Sequence, residues 1–167
     1  MMVRLGAAVG VGMIFVCSSV AMSATQSENQ KQNWNVIASG PTIVGVASTY
    51  NPYRHDQPSG GPETASGELY DPAAWTAAIQ VDFRKEFSGV HYGKDYRPVY
   101  ALVVSSDKQV IVKINDVGPL EPGRVIDLNE RTMRYFDPFL TQGLIYRVKV
   151  TPLLGDDWAP GPIAAND

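Results

Sequence analysis

The 167-residue chain is poor in cysteine, histidine and basic charge: one cysteine, two histidines, and 14 Lys and Arg against 17 Asp and Glu. Each shortage removes a class of protein. A single thiol, Cys17, supports neither a disulfide framework nor a Cys-based metal site. His55 and His91 stand apart with no H-E-x-x-H spacing, so the sequence calls for no metal and no cofactor. With a formal net charge of −3, the chain lacks the clustered Lys and Arg that phosphate contacts demand, which argues against a nucleic-acid partner. Long apolar runs are missing as well. The longest, Leu5 to Cys17, is too short to span a membrane; it follows Arg4 and runs into the small residues Ser18, Ser19, Ala21, Ser23 and Ala24. That pattern is a secretory signal peptide over residues 1–24, and it predicts an exported product with no membrane span in its mature form. Removing it takes Arg4 and Cys17 away, lowering the basic count from 14 to 13 and the net charge from −3 to −4.

Residues 25–42 are rich in Gln, Asn and Ser, which reads as a flexible leader in which only Trp34, Val36 and Ile37 offer apolar docking groups. A domain of about 110 residues, 43–153, follows. Ile43 to Tyr50 is a first strand, and the proline-rich Asn51 to Glu63 a loop. Asp71-Pro72 has the form of a helix N-cap with proline at the first helical position, predicting a short helix over Ala73 to Gln80. Val99 to Ser105 is almost continuously apolar and pairs as a hairpin with Val110 onward. Asn129 caps a short helix from Glu130 to Phe136, and Leu144 to Val150 alternates as a closing strand. The Gly- and Pro-rich residues 154–167 read as a loose tail. Roughly six short strands, one or two short helices and no long amphipathic helix make an all-β-dominated small barrel.

The chemistry gathers in two places. In V-I-V-K-I-N-D-V-G-P, Val110, Val112 and Ile114 alternate as a strand that ends in turn formers, leaving Asp116 at the strand's lip. Arg124-Val125-Ile126-Asp127-Leu128 returns as a second apolar strand with two opposite charges. In T-A-S-G-E-L-Y-D, Ser66-Gly67-Glu68 forms a turn. Local sequence leaves two readings open at each acid. Asp116 is either an Asx-type turn or an acid at a cleft, and Glu68 either a solvated surface charge or a functional one.

I-N-D-V-G-P followed by G-R-V-I-D-L, with T-A-S-G-E-L-Y-D and the opening G-V-A-S-T-Y, resembles the rare lipoprotein A (RlpA) family over about Ile43 to Pro152. The resemblance implies a six-stranded double-psi β-barrel and a lytic transglycosylase that cleaves peptidoglycan between N-acetylmuramic acid and N-acetylglucosamine, leaving an anhydro end. It implies Asp116 as general acid/base, helped by Glu68 across one groove, on the order of 5–10 Å away. Thr64, Asn115, Tyr50, Tyr70 and Trp75 become candidates for sugar binding, and Arg124 and Asp127 a supporting ion pair at the barrel end. Peptidoglycan glycan strands are the implied partner of a monomer in the periplasm or cell envelope. The sugar-binding SPOR module of many relatives has no room in 167 residues. Family members are commonly lipoproteins, so anchorage through Cys17 is the alternative, although Val16 stands where a lipobox wants a small residue. Two positions depart from the pattern. Ile79 replaces the histidine after T-A-A, and Val117 replaces the arginine of N-D-R-G-P. Both fit the alternative of a non-catalytic, expansin-like glycan binder.

Overall fold

A computed structural model describes residues 38, 40–54, 61–87, 90, 91 and 93–163. The signal peptide, most of the leader and His55 lie outside the described residues. Among the described residues seven strands form, β1 (Ile43–Thr49), β2 (Thr76–Gln80), β3 (Val99–Ser105), β4 (Lys108–Gly118), β5 (Arg124–Leu128), β6 (Leu144–Leu153) and β7 (Gly161–Ile163), with one α-helix, α1 (Glu130–Phe136). Single 3-10 turns span Val81–Phe83 and Gly93–Asp95.

The neighbour order β2-β5-β1-β6-β3-β4, with β4 pairing back onto β2, closes a six-stranded barrel, and β7 extends it beside β4. Closure leaves no open edge in the barrel itself. Two parallel pairs, β1 with β5 and β2 with β4, interlock the two halves, and the remaining pairs are antiparallel. The core is aliphatic: Val110, Val112, Ile114, Ile126, Leu128, Val148 and Val150 are fully enclosed, with Met133 from α1 closing one side.

Each parallel pair carries a one-residue bulge. Arg124 and Ile126 face the consecutive Val46 and Ala47, so Val125 is extra; Ile114 and Asp116 face Ala77 and Ala78, so Asn115 is extra. The second bulge decides where the acid goes. Strict alternation from Val110, Val112 and Ile114 would turn Asp116 into the core. The extra residue sends Val117 inward instead and leaves Asn115 and Asp116 outside the core cluster, a bulge re-aiming a side chain.

Two segments differ from the sequence-based expectation. Residues 76–80 are a strand, not the end of a helix: Asp71 makes an Asx turn, its Oδ1 accepting from Ala73 N at 2.8 Å, and the chain then extends between β4 and β5. All five residues of β2 are buried, so pairing on both sides overrides the helical preference of T-A-A-I-Q. The tail is not loose throughout. Trp158 and Ile163 cover Tyr100, Leu102, Ile111 and Leu153 on the outside of the barrel, and β7 pairs with Gln109–Ile111. The unbroken apolar run of β3 requires such a cover, since a strand alternates its faces. Asn129 caps α1 as expected, its Oδ1 accepting from Arg131 N at 3.0 Å. Among the described residues no helix is long and apolar enough to cross a membrane.

Candidate active site

The Thr64–Glu68 turn folds over the end of β4. Gly67, at φ +86°, gives the reversal, and Thr64 Oγ1 donates to Glu68 O at 2.9 Å while Ser66 N donates to Asn115 O at 2.9 Å. Hydrogen bonds within and beneath the turn thereby fix it to the bulge.

Asp116 sits under the turn. Its Oδ1 accepts from the backbone N–H of Ala65 and of Val117, each at 2.9 Å, and its Oδ2 accepts from the Tyr50 hydroxyl at 3.5 Å. Burial pushes the Asp116 carboxyl above the usual aspartate range, outweighing the lowering effect of these hydrogen bonds. Burial, with the charges of Asp116 and Asp127 nearby, likewise pushes the Tyr50 hydroxyl far up, so it stays a donor. The carboxyl opens on a depression of about 350 Å³ whose lining includes Tyr50, Thr64, Ala78, Leu120 and Asp127.

Glu68 is placed differently. Its carboxylate pairs with Lys113 Nζ at 2.5 Å and accepts from Asn115 Nδ2 at 3.4 Å. Partial burial would raise its pKa, but Lys113, Asn115 and Ser66 outweigh that and hold it below the usual glutamate range. It lines a second depression, of about 340 Å³, with Trp75, Lys113 and Asn115. Glu68 and Asp116 thus come to one end of the barrel through neighbouring residues of β4, each lining its own depression.

The other candidates divide by exposure. Thr64 is buried and engaged in the turn. Tyr70 is buried, its hydroxyl donating to Tyr50 O at 2.8 Å and accepting from Glu130 N at 3.1 Å; burial is the main reason its pKa rises to about 12. Trp75 packs edge-on to Tyr135 and carries the Arg131 guanidinium 4.5 Å from its ring centroid. Tyr70 and Trp75 are thus engaged in packing, and each also lines a depression, Tyr70 the one at Asp116 and Trp75 the one at Glu68. Asn115 is buried, and its Oδ1 has no hydrogen-bond partner among the described residues.

Arg124 and Asp127 form no ion pair. Asp127 accepts from the Ser48 hydroxyl, and Arg124 lies beyond the Val125 bulge; among the described residues the ion pairs are Lys113–Glu68, Arg54–Glu130 and Arg134–Glu130. Sequence reasoning missed Lys113, although it stands two residues before Asn115 on the same strand, and it missed Glu130. Three groups hold Glu130 although it is buried. Asn51 donates at 2.8 Å, and Arg54 and Arg134 pair at 3.2 and 2.9 Å, tying the loop after β1 to α1.

The two departures from the RlpA pattern are one change. Ile79 and Val117 are cross-strand partners, and both belong to the barrel core, Ile79 with no exposure at all. An apolar pair stands at these two positions, Ile79 enclosed in the core and Val117 in the lining of the Asp116 depression.

Comparison with known proteins decides the family. The lytic transglycolase family model matches residues 42–149. The chain belongs to this family. Among the curated relatives of this lytic transglycolase domain, a Yersinia pestis protein named endolytic peptidoglycan transglycosylase RlpA is 38% identical over 88 residues, 52% of this chain and 19% of that protein. A Campylobacter jejuni protein of the same name is 31% identical over 103 residues, 61% of this chain and 31% of that protein. The chain therefore spans about a fifth to a third of these relatives' lengths. Among solved structures, Streptomyces papain inhibitor superposes with a TM-score of 0.51 at 17% identity, over 68% of this chain and 96% of that one, a likeness of fold alone.

Proposed function

We propose that this lytic transglycolase-family chain is an RlpA-like endolytic peptidoglycan transglycosylase. It cleaves the glycan strand between N-acetylmuramic acid and N-acetylglucosamine and leaves an anhydro-muramyl end. The observation that carries the reading is the state of Asp116. One oxygen is saturated by two backbone N–H groups, the other faces the depression beside Tyr50, and burial favours the protonated form. A proton on Oδ2 is therefore presented to the space where a glycosidic oxygen would sit, as general acid catalysis needs. Asp116 protonates the leaving oxygen and the C1–O bond breaks. The sugar's own C6 hydroxyl then attacks C1, and its proton returns to the Asp116 carboxylate. No positioned water enters the reaction.

In this reading Tyr50 donates to Asp116 while its oxygen accepts from a sugar hydroxyl, and Asn115 holds the Glu68 carboxylate from beneath. Glu68, kept ionised by Lys113, orients substrate. The partner is peptidoglycan, and the protein works as an exported monomer in the periplasm or cell envelope. The Arg4-led apolar segment predicts a mature N-terminus between about Ala21 and Gln26, checked by sequencing the secreted form. A mature chain beginning at a lipid-modified Cys17 would overturn that and make it an anchored lipoprotein.

A second reading, a non-catalytic expansin-like glycan binder, draws on the Ile79–Val117 pair, apolar at two positions where the RlpA pattern has ionisable groups. The test separates them. The mature protein is incubated with intact and amidase-stripped sacculi, and released fragments are weighed by mass spectrometry. Anhydro-muropeptides from the wild type that vanish in Asp116→Asn support the enzyme. Sacculus binding with no release, indifferent to Asp116→Asn, establishes the binder instead.

A further inference from the structure

The order of strands brings a second carboxylate to the Asp116 depression. Ala78 on β2 is the direct partner of Asp116 on β4 and of Asp127 on β5, so the three stand in one row across adjacent strands. Directly paired residues project to the same face of a sheet. All three line the same hollow, with Ala78 between the two acids in the row. Two strand spacings of about 4.8 Å put the aspartate backbones about 10 Å apart. Tyr50, whose hydroxyl donates to Asp116, lines the same hollow and feels the charge of both acids. Glu68, by contrast, opens on the other hollow.

The geometry points to Asp127 as a second catalytic carboxylate, which faces the anomeric carbon across Ala78 from Asp116 and stabilises the positive charge that develops there. This rests on the glycan-cleaving reading and deepens it. The proton balance is untouched: Asp116 gives its proton to the leaving oxygen and regains one from the C6 hydroxyl, while Asp127 stays ionised and neither gains nor loses a proton. A fixed anion in a partly desolvated site stabilises a developing cation far more than water does. The Ser48 hydroxyl, 2% exposed, donates to Asp127 and sets its orientation. Ser48 is a positioning residue.

The test compares three variants of the mature protein by release of anhydro-muropeptides and by melting temperature. Asp127→Asn still accepts from Ser48 but carries no charge, and turnover should fall roughly 10²–10³-fold with KM little changed. Ser48→Ala should lose less than about tenfold, since the anion remains. Asp127→Ser opens space for a small anion, and added formate should restore part of its turnover. That variant carries the test if Asp127→Asn fails to fold. An Asp127→Asn enzyme within about fivefold of wild type, equal losses in Asp127→Asn and Ser48→Ala tracking lost stability, or no rescue of Asp127→Ser by formate would each overturn the proposal. A wild type that releases nothing removes the glycan-cleaving reading and this one together, whereas an active wild type with an active Asp127→Asn removes this one alone.

Discussion

The hollows on either side of the Thr64–Glu68 turn each hold an acid, and they treat it in opposite ways. On the Asp116 side no cation among the described residues pairs with the carboxyl. Two backbone N–H groups and a tyrosine solvate it, and burial raises its pKa. On the Glu68 side a lysine sits 2.5 Å from the carboxylate and the pKa falls. Two carboxyls with pKa values pushed apart are the usual division between a group that gives up a proton and one that stays charged. The difference teaches that the pairing expected from sequence, Glu68 with Asp116, joins two unlike sites through a turn. Asp116 shares its hollow instead with Asp127 on β5 and with Glu63 from the loop.

The largest effect should come from the acid side. Asp116→Asn keeps an oxygen to accept from Ala65 and Val117 but has no proton to give, so anhydro-muropeptide release should fall roughly 10²–10⁴-fold while sacculus binding survives. Activity of the wild type should be lost as pH rises through the elevated pKa of Asp116, since the proton donor is then gone. A pH–rate profile checks the sign, and activity that rises steadily through that limb would refute the assignment.

The charged side should matter less. Glu68→Gln keeps the size and the acceptor for Asn115 but frees Lys113, and the cost is whatever misplacement of substrate follows, on the order of tenfold in kcat/KM. A loss equal to that of Asp116→Asn would erase the contrast between the two hollows and return Glu68 to the proton-transfer step.

The sequence carried some of this and hid the rest for identifiable reasons. The alternation Val110, Val112, Ile114 and the cap at Asn129 are local signals, and both elements form where those signals lie. The bulge at Asn115 is not local. It exists only in register with Ala77 and Ala78, and without it the same alternation would bury Asp116. Residues 76–80 were illegible for the same reason: alanine and glutamine favour helix, and only β4 and β5 on either side make a strand of them. Asp127 beside Arg124 looks like half of an ion pair when read along the chain. Across the sheet it is the neighbour of Ala78 and Ser48, and that pairing brings it to the site. The resemblance to the RlpA family supplied the fold and the positions of both acids, but it could not say that Ile79 and Val117 are cross-strand partners packed into the core.

The smallest effect is on folding stability, and its sign separates an acid at a cleft from a simple turn. Asp116 has its pKa raised in the folded protein, above an unfolded value of about 3.9. Its contribution to stability is fully present below that unfolded value and is lost as pH rises through the folded one, because the native site then holds a poorly solvated charge. Asp116→Asn removes that charge, so at pH 7 it should be at least as stable as the wild type, with the advantage shrinking as pH falls toward 4. Glu68 runs the other way. Its folded pKa is lowered, so its contribution is present above the unfolded value and disappears as pH falls through the folded one. Glu68→Gln should therefore be slightly less stable than wild type at pH 7, by no more than about 1 kcal/mol for so exposed a pair, and indistinguishable from it at low pH. Urea midpoints of both variants at pH 7 and near pH 3.5 measure the two slopes. If Asp116→Asn instead loses stability at pH 7, and loses more there than at low pH, the carboxylate is holding the turn together and its role is structural.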